Sequence, residues 1–270
     1  MILGIIGRSV DPNGNMCSMG TGKDKATDIL VEQYRFTKIT LADEIKRICV
    51  KVYGFSEDQL WGPSEKRNEL DKRYPREHSF NEFRKCKCCG YEIIKHNAEI
   101  PQCYLTPRYA IQQLGTDWGR DCYTDTWANF AMNIAKQLID GVPHEYVYVQ
   151  PKFYSGPEER YIGKAYSRYN QIKGVSEPQN LAKNYRTENV VFSDVRFFNE
   201  ISCIRSNGGK ILLIVRPVEK LPAGPNLDHI SENDLNKYKT NDPNSPWDYV
   251  VENNGTLDDL KTKVLKTIGI

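Results

Sequence analysis

The stretch "CSMGTGKDK", residues 17 to 25, combines two glycines, a lysine and an aspartate at a spacing suited to phosphate chemistry. A glycine-rich loop between a strand and a helix surrounds phosphate oxygens with backbone N–H groups. Its lysine neutralises the outer phosphates, and a hydroxyl helps to hold magnesium. Gly20, Gly22 and Lys23 occupy the expected positions, with Thr21 between the glycines. Two positions depart from the usual GxxxxGK[ST] pattern: Cys17 stands where the first glycine belongs, and Asp24 replaces the hydroxyl residue. The segment "RSVDPNGNMCSM" also separates Gly7 from Gly20, so the preceding strand does not feed directly into the loop. Taken alone, the loop reads equally as a surface turn whose glycines supply positive φ.

A second constellation is made of sulfur. Of eight cysteines, Cys86, Cys88, Cys89 and Cys103 crowd into one stretch. Cys86 and Cys89 bracket two residues and are followed by Gly90, the shape of a zinc knuckle whose turn aims both thiolates at one metal. His96 and Cys103 complete a tetrahedral set, with Cys88 as an alternative ligand. The competing reading is an inserted loop with free thiols, because the second CxxC pair is missing. Bound zinc would stabilise a segment too small for its own core and would do no chemistry. Lys85, Lys87 and Lys95 make the stretch basic, which keeps a nucleic-acid-binding module with a degenerate phosphate loop as the alternative function.

The elements that must position these residues alternate along the chain. "ILGII" (2 to 6) is an apolar run suited to a strand covered on both faces, and Ala26, Ile29, Leu30 and Tyr34 mark one face of a helix after the loop. Ile45, Ile48, Cys49 and Val52 predict a second helix ended by Gly54, and Ser56 with Gln59 forms a capping box. Thr106-Pro107 starts a helix that Gly115 is expected to stop. Trp127, Phe130, Ala131, Ile134 and Leu138 predict a half-buried helix closed by Gly141. "NVVFSD" (189 to 194) and "KILLIV" (210 to 215) read as strands joined by a helix, followed by a late strand "DYVV" and a closing helix from Leu257 to Ile268. The expected fold class is therefore α/β, a mainly parallel sheet flanked by helices, with ligands at the carboxyl ends of the strands. We expect a single domain over 1–270, carrying a cysteine-rich knuckle at about 75–104 and a lid insertion at about 143–187.

Composition limits the partners. A hydrophobic fraction of 39% supports a sizeable core, and a formal net charge of +2 demands no polyanionic partner such as duplex DNA. "MILGIIG" is too short for the apolar core of a signal peptide, and no run reaches the roughly 20 apolar residues of a membrane span. The expectation is a cytoplasmic protein without a membrane partner, and the near-balanced charge speaks against nucleic acid; small-molecule nucleotides as partners rest on the glycine loop, and a homodimer stays open.

Four stretches in order, "GTGKD", "LTPRYAIQQLGTDWGRD" (105 to 121), "VVFSDVRFFNE" (190 to 200) and "DHISE" (228 to 232), resemble the bacteriophage deoxynucleoside monophosphate kinase family. "LADEIKRICVKVYGFSEDQLWGPSEKR" (41 to 67) and "DYVVENNGTLDDL" add to the resemblance, which covers about two thirds of the chain. In that family the loop reads GSGKD, so Asp24 follows the family pattern; Lys25 stands where it commonly has Thr, leaving Thr21 or Thr27 as nearby hydroxyls. The resemblance implies a P-loop fold, with ATP and magnesium as phosphoryl donor and a deoxynucleoside 5′-monophosphate as acceptor.

Phosphoryl transfer rests on in-line positioning and charge neutralisation, so cations and backbone donors should dominate the site. Gly20, Thr21, Gly22, Lys23, Asp24 and Lys25 are assigned to ATP and its magnesium. Asp194 ends a strand as a Walker-B-like acid or, alternatively, as a helix cap. Arg108, Arg120 and Arg196 match phosphate oxygens bidentately, with Arg120 and Arg196 placed alongside Lys23, Asp24 and Asp194 in catalysis. Lys46 and Arg67 add phosphate contacts, while Gln112, Gln113, Trp118, Asn199 and Glu200 are candidates for base and sugar recognition. Trp127 is expected in the core, and His229 either orients a loop, touches ATP or is a satisfied structural histidine. Host cytoplasm follows if the protein is phage-encoded. A kinase acting on a hydroxymethylated base within DNA is a related enzyme reading.

Overall fold

The computed structural model describes residues 1–13, 16–17, 20–93, 100–141, 187–219, 234–238, 240 and 244–270. His96, His229 and the expected lid at 143–187, apart from Thr187, lie outside the described residues. The chain divides into two compact units, Met1–Leu41 with Ala128–Ile270, and Ala42–Trp127. Among the described residues no helix is long and apolar enough to cross a membrane.

The first unit is built on a mainly parallel sheet. Its strands are β1 (Ile2–Val10), the two-residue β2 (Met16–Cys17), β3 (Phe36–Ile39), β6 (Asn189–Phe192), β7 (Lys210–Pro217) and β8 (Tyr249–Glu252). The spatial order is β3-β6-β1-β7-β8 with parallel pairing throughout, and β2 folds back antiparallel on β1. Seven consecutive residues of β1 are buried, as the continuous apolar run requires for a strand covered on both faces.

Alternate side chains of the strands feed two separate cores. On one face Leu3, Ile5, Leu212 and Ile214 pack with Ala26 and Leu30 of α1 (Lys23–Gln33) and with Leu260, Val264 and Ile268 of the C-terminal helix Leu257–Ile268. On the other, Ile6, Phe192, Ile211 and Leu213 pack with Ala131, Ala135 and Leu138 of the helix Thr126–Asp140 and with Ile201 and Ile204 of the helix Phe198–Ser206. This two-sided burial is the expected α/β architecture. From β1 the chain passes to one side of the sheet, toward β3, and from β7 to the other, toward β8. Such a switch point opens a crevice at the carboxyl ends of β1 and β7, where ligands of open α/β sheets bind.

The second unit holds α2 (Asp43–Tyr53), α3 (Glu57–Trp61), α4 (Ser64–Asn68), a two-stranded antiparallel sheet of β4 (Asp71–Arg76) and β5 (Cys103–Leu105), and α5 (Pro107–Gln112). Ser56 and Gln59 form the expected capping box, and the Thr106 side chain caps α5. Two expectations are corrected. Gly115 does not stop the helix, which continues as a π-helix over Gln113–Arg120. A small residue is tolerated inside the turn because the Gly115 carbonyl accepts a hydrogen bond from the buried Trp127 indole at 2.8 Å. The apolar face of α2 is narrower than its sequence suggests: Ile45 and Cys49 are buried, whereas Val52 is 64% exposed.

Candidate active site and metal centre

β1 runs beyond its expected end, through Val10, and the chain returns at once. Ser9 pairs with Cys17 and Val10 with Met16. Cys17 therefore belongs to a buried strand and not to the glycine loop. The return delivers Thr21, itself buried, onto Gly7 of β1. A Cβ at Gly7 would overlap the Thr21 hydroxyl and stand 2.8 Å from its Cβ, so only glycine allows this seating. The segment that seemed to separate strand from loop is the device that reconnects them.

Gly22 takes the left-handed conformation, with φ of 89°, immediately before α1. Gly22 at the N-cap position offers no side-chain cap, and the Lys23 amide donates to the Thr21 hydroxyl at a long 3.3 Å. The loop carbonyls are instead occupied from neighbouring strand ends: the Arg216 guanidinium donates to Gly20 O at 2.9 Å, and the Asn253 amide donates to Thr21 O at 2.9 Å. With carbonyls pinned on one side and an uncapped helix start on the other, the local field favours an anion. The sequence reading did not single out Gly7, Arg216 or Asn253. Gly7 and Arg216 lie on β1 and β7, the two strands whose carboxyl ends border the crevice, and Asn253 directly follows the neighbouring β8.

Lys23 and Asp24 form an ion pair of 3.0 Å. The Asp24 side chain is 70% exposed. Crowding by surrounding protein opposes its charge, yet the neighbouring Lys23 ammonium, with Lys38 of β3 and Arg196 beyond β6, holds its carboxyl below the usual range. Lys38, also absent from the sequence reading, thus joins the same basic neighbourhood. Lys25 is exposed. Thr27 is buried, and its hydroxyl donates to the Lys23 carbonyl at 2.9 Å, so its bonding is spent within the helix.

Asp194 follows β6, and its Oδ1 accepts the Leu41 amide at 3.1 Å. Glu200 is buried, and one carboxylate oxygen accepts the amides of Arg196 at 2.7 Å and Phe197 at 3.1 Å. It therefore secures the turn carrying Arg196, a use different from the base or sugar contact expected of it. Asn199 lies in the first turn of the same helix.

The remaining candidates belong to the second unit. Lys46 is paired with Asp43 at 3.5 Å and lies over the Trp61 ring at 5.5 Å. Arg67 donates to Gly62 O at 2.7 Å, and Arg108 to the Asn68 side chain at 2.7 Å. Gln112 ends α5, while Gln113, Trp118 and Arg120 lie on the π-helix, with Gln113 hydrogen-bonded to Asp117. Trp118 is 55% exposed, available for stacking, whereas Trp127 is buried as expected. Single π-helical stretches recur where a helix must re-aim functional side chains.

No family model matches the chain. A viral relative matches almost end to end. It is a protein of Acanthamoeba polyphaga mimivirus described as "Putative deoxynucleotide monophosphate kinase", 23% identical over 255 residues, which cover 94% of each chain. The alignment thus spans both units.

The second unit also gathers sulfur and imidazole. One ligand atom each from His78, Cys86, Cys89 and Cys103 lies within 4.8 Å of all the others. His78, just beyond β4, lies outside the cysteine stretch, and its sequence signal is a histidine eight positions before Cys86. Cys88 points elsewhere, its thiol donating to Tyr104 O at 3.2 Å. Burial would push the Cys86 thiol up, but the amides of Cys89, Ser79 and Cys88, with the His78 ring, outweigh it and bring the thiol to about 6. Cys103 is pushed the other way, by burial and then by the neighbouring Cys89 and Cys86.

Proposed function

We propose that this protein transfers the γ-phosphoryl group of ATP to a deoxynucleoside 5′-monophosphate, giving ADP and the diphosphate. The observation that carries the reading is the glycine loop itself: Thr21 seated on β1, its carbonyls pinned, and Lys23 at the uncapped start of α1 at the sheet's switch point. The ordered motifs of a bacteriophage-type kinase and the length of the viral match support it.

In this reading a phosphate oxygen of the acceptor attacks the γ-phosphorus, and the bond to the β–γ bridging oxygen breaks. The protein supplies position and charge. The amides of Asp24 and Lys25 at the start of α1 are donors for the phosphates, the Lys23 amide being held by the Thr21 hydroxyl at 3.3 Å, and the Lys23 ammonium leaves its ion pair with Asp24 to neutralise them. Magnesium would neutralise phosphate oxygens; Asp24 is its partner in the loop, because its carboxylate is exposed and held ionised. Arg196 stabilises charge on the transferring group. Arg108 and Arg120 are assigned to the acceptor phosphate, Lys46 and Arg67 to further phosphate contacts, and Trp118 to stacking on the base.

An ATP-consumption screen against the common and modified deoxynucleoside monophosphates, with product analysis, tests this. The expected product is a 5′-diphosphate. Phosphate on a hydroxymethyl group of a base would point to the DNA-modifying reading instead. A flat screen with salt-sensitive binding to DNA would favour a nucleic-acid module.

A further inference from the structure

The cluster of His78, Cys86, Cys89 and Cys103 can be tested against the geometry of a metal. Zn–S bonds of about 2.3 Å and Zn–N bonds of about 2.0 Å at tetrahedral angles place two sulfurs roughly 3.8 Å apart, and a sulfur and a nitrogen roughly 3.5 Å apart. Here Cys86 Sγ lies 3.8 Å from Cys103 Sγ, and Cys89 Sγ lies 3.6 Å from His78 Nδ1. Two separate edges of the set thus match a zinc tetrahedron. A disulfide between Cys86 and Cys103 would instead need about 2.05 Å.

The surroundings support the same chemistry. His78 Nε2 is 2.7 Å from Pro101 O, an acceptor, so Nε2 carries the proton and leaves the Nδ1 lone pair facing the sulfurs. Metal-bound histidines are commonly held in this way through the other ring nitrogen. The turn after the first cysteine is closed by Gly90 N–H to Cys86 O at 2.9 Å and Cys86 N–H to Tyr91 O at 2.7 Å. Gly90 has φ of 75°, which lets the chain turn tightly enough to bring Cys89 beside Cys86.

We propose that these four residues bind one zinc ion as a closed, structural site, with His78 and not His96 as the nitrogen ligand. Four protein ligands leave no position for a substrate or reactive water. The ion joins the chain just beyond β4, the start of β5 and the turn between them. Among the described residues, the apolar packing around these ligands is a small cluster of the cysteines with Tyr91, Leu105 and Tyr109. The metal takes the place of a core the segment cannot build. The proposal is independent of the phosphoryl-transfer reading.

The test is zinc content of the full chain, purified without added metal, for the native sequence, His78→Ala and His96→Ala. The expected result is about one zinc per chain in the native protein and in His96→Ala, with retention against a chelator falling at least ~10-fold in His78→Ala. X-ray absorption of the native protein, which needs no variant to fold, should give three sulfurs and one nitrogen around zinc. A zinc-free native protein, an S4 or S2N2 shell, or metal lost in His96→Ala but kept in His78→Ala would overturn the site. So would a Cys86–Cys103 disulfide found by mass analysis under non-reducing conditions.

Discussion

Gly7, in the middle of β1, and Thr21, in the glycine loop, are packed so closely that a methyl group on the first would overlap the hydroxyl of the second. They are fourteen positions apart in sequence, and a two-strand return through Cys17 brings them together. The loop is therefore fixed to the sheet at the place where a shorter chain would have led into it directly.

Gly7→Ala should displace Thr21 and with it the loop. Overpacking at such a site costs roughly 1–3 kcal/mol, read as a lower melting temperature. The KM for ATP should rise more than the KM for the acceptor. Equal effects on both would place the damage outside the loop.

Glu200→Ala removes the acceptor for the amides of Arg196 and Phe197 from a buried position. Leaving buried donors unsatisfied costs about 1–3 kcal/mol. Because the turn carrying Arg196 loosens, kcat should fall while the KM for ATP changes little, and a kinetic comparison with Glu200→Gln, which keeps an acceptor oxygen, should recover part of the loss.

Asp24→Asn should raise the magnesium concentration needed for half-maximal rate by about 10-fold, the scale of losses in metal-site affinity. Asp24 is held below the ordinary carboxylate range, so it is ionised throughout neutral pH. The native rate should show no titration of this group between roughly pH 6 and 8. Titrating magnesium against rate for both proteins checks this.

Asp71 gives the second unit an acid-sensitive tie. Its carboxylate takes hydrogen bonds from the Arg73 side chain at 2.6 and 2.9 Å, from the Arg73 amide at 3.1 Å and from Gln59 at 3.3 Å. These donors, Arg73 first, lower it from 3.8 to about 2. A carboxyl lowered on folding stabilises above its unfolded value and loses that contribution as pH falls through 3.8 toward about 2. Because Arg73 is half-exposed, the contribution is about 1 kcal/mol. Melting temperatures of native protein and Asp71→Asn should differ near pH 6 and converge only below about pH 2.

The sheet was legible because its strands are apolar runs and its helices carry apolar faces at helical spacing; "KILLIV" and the Ala26–Leu30 face needed no tertiary information. The short strand Phe36–Ile39 was missed because four residues with an intervening lysine give little periodicity. The π-helix was hidden behind Gly115, since propensity treats a glycine as an end while the Trp127 indole held the turn from outside. At the site, Gly20, Gly22, Lys23 and Asp24 were readable as a motif. Gly7, Arg216 and Asn253 were not, because they act through long-range packing and hydrogen bonds to backbone. His78 escaped for a similar reason: the strand pairing of Arg76 with Cys103, and not sequence distance, brings it beside the cysteines.

The phosphate loop is the centre of the account, and Lys23 is the side chain placed in it to neutralise the donor phosphates. The most direct measurement is kcat/KM for diphosphate formation by native protein and Lys23→Ala, using the deoxynucleoside monophosphate that the native protein uses best. Loss of a preorganised charge contact predicts a fall of about 10² or more with the fold intact by circular dichroism. Equal turnover in the two proteins, or no diphosphate from any deoxynucleoside monophosphate with native protein, would contradict it.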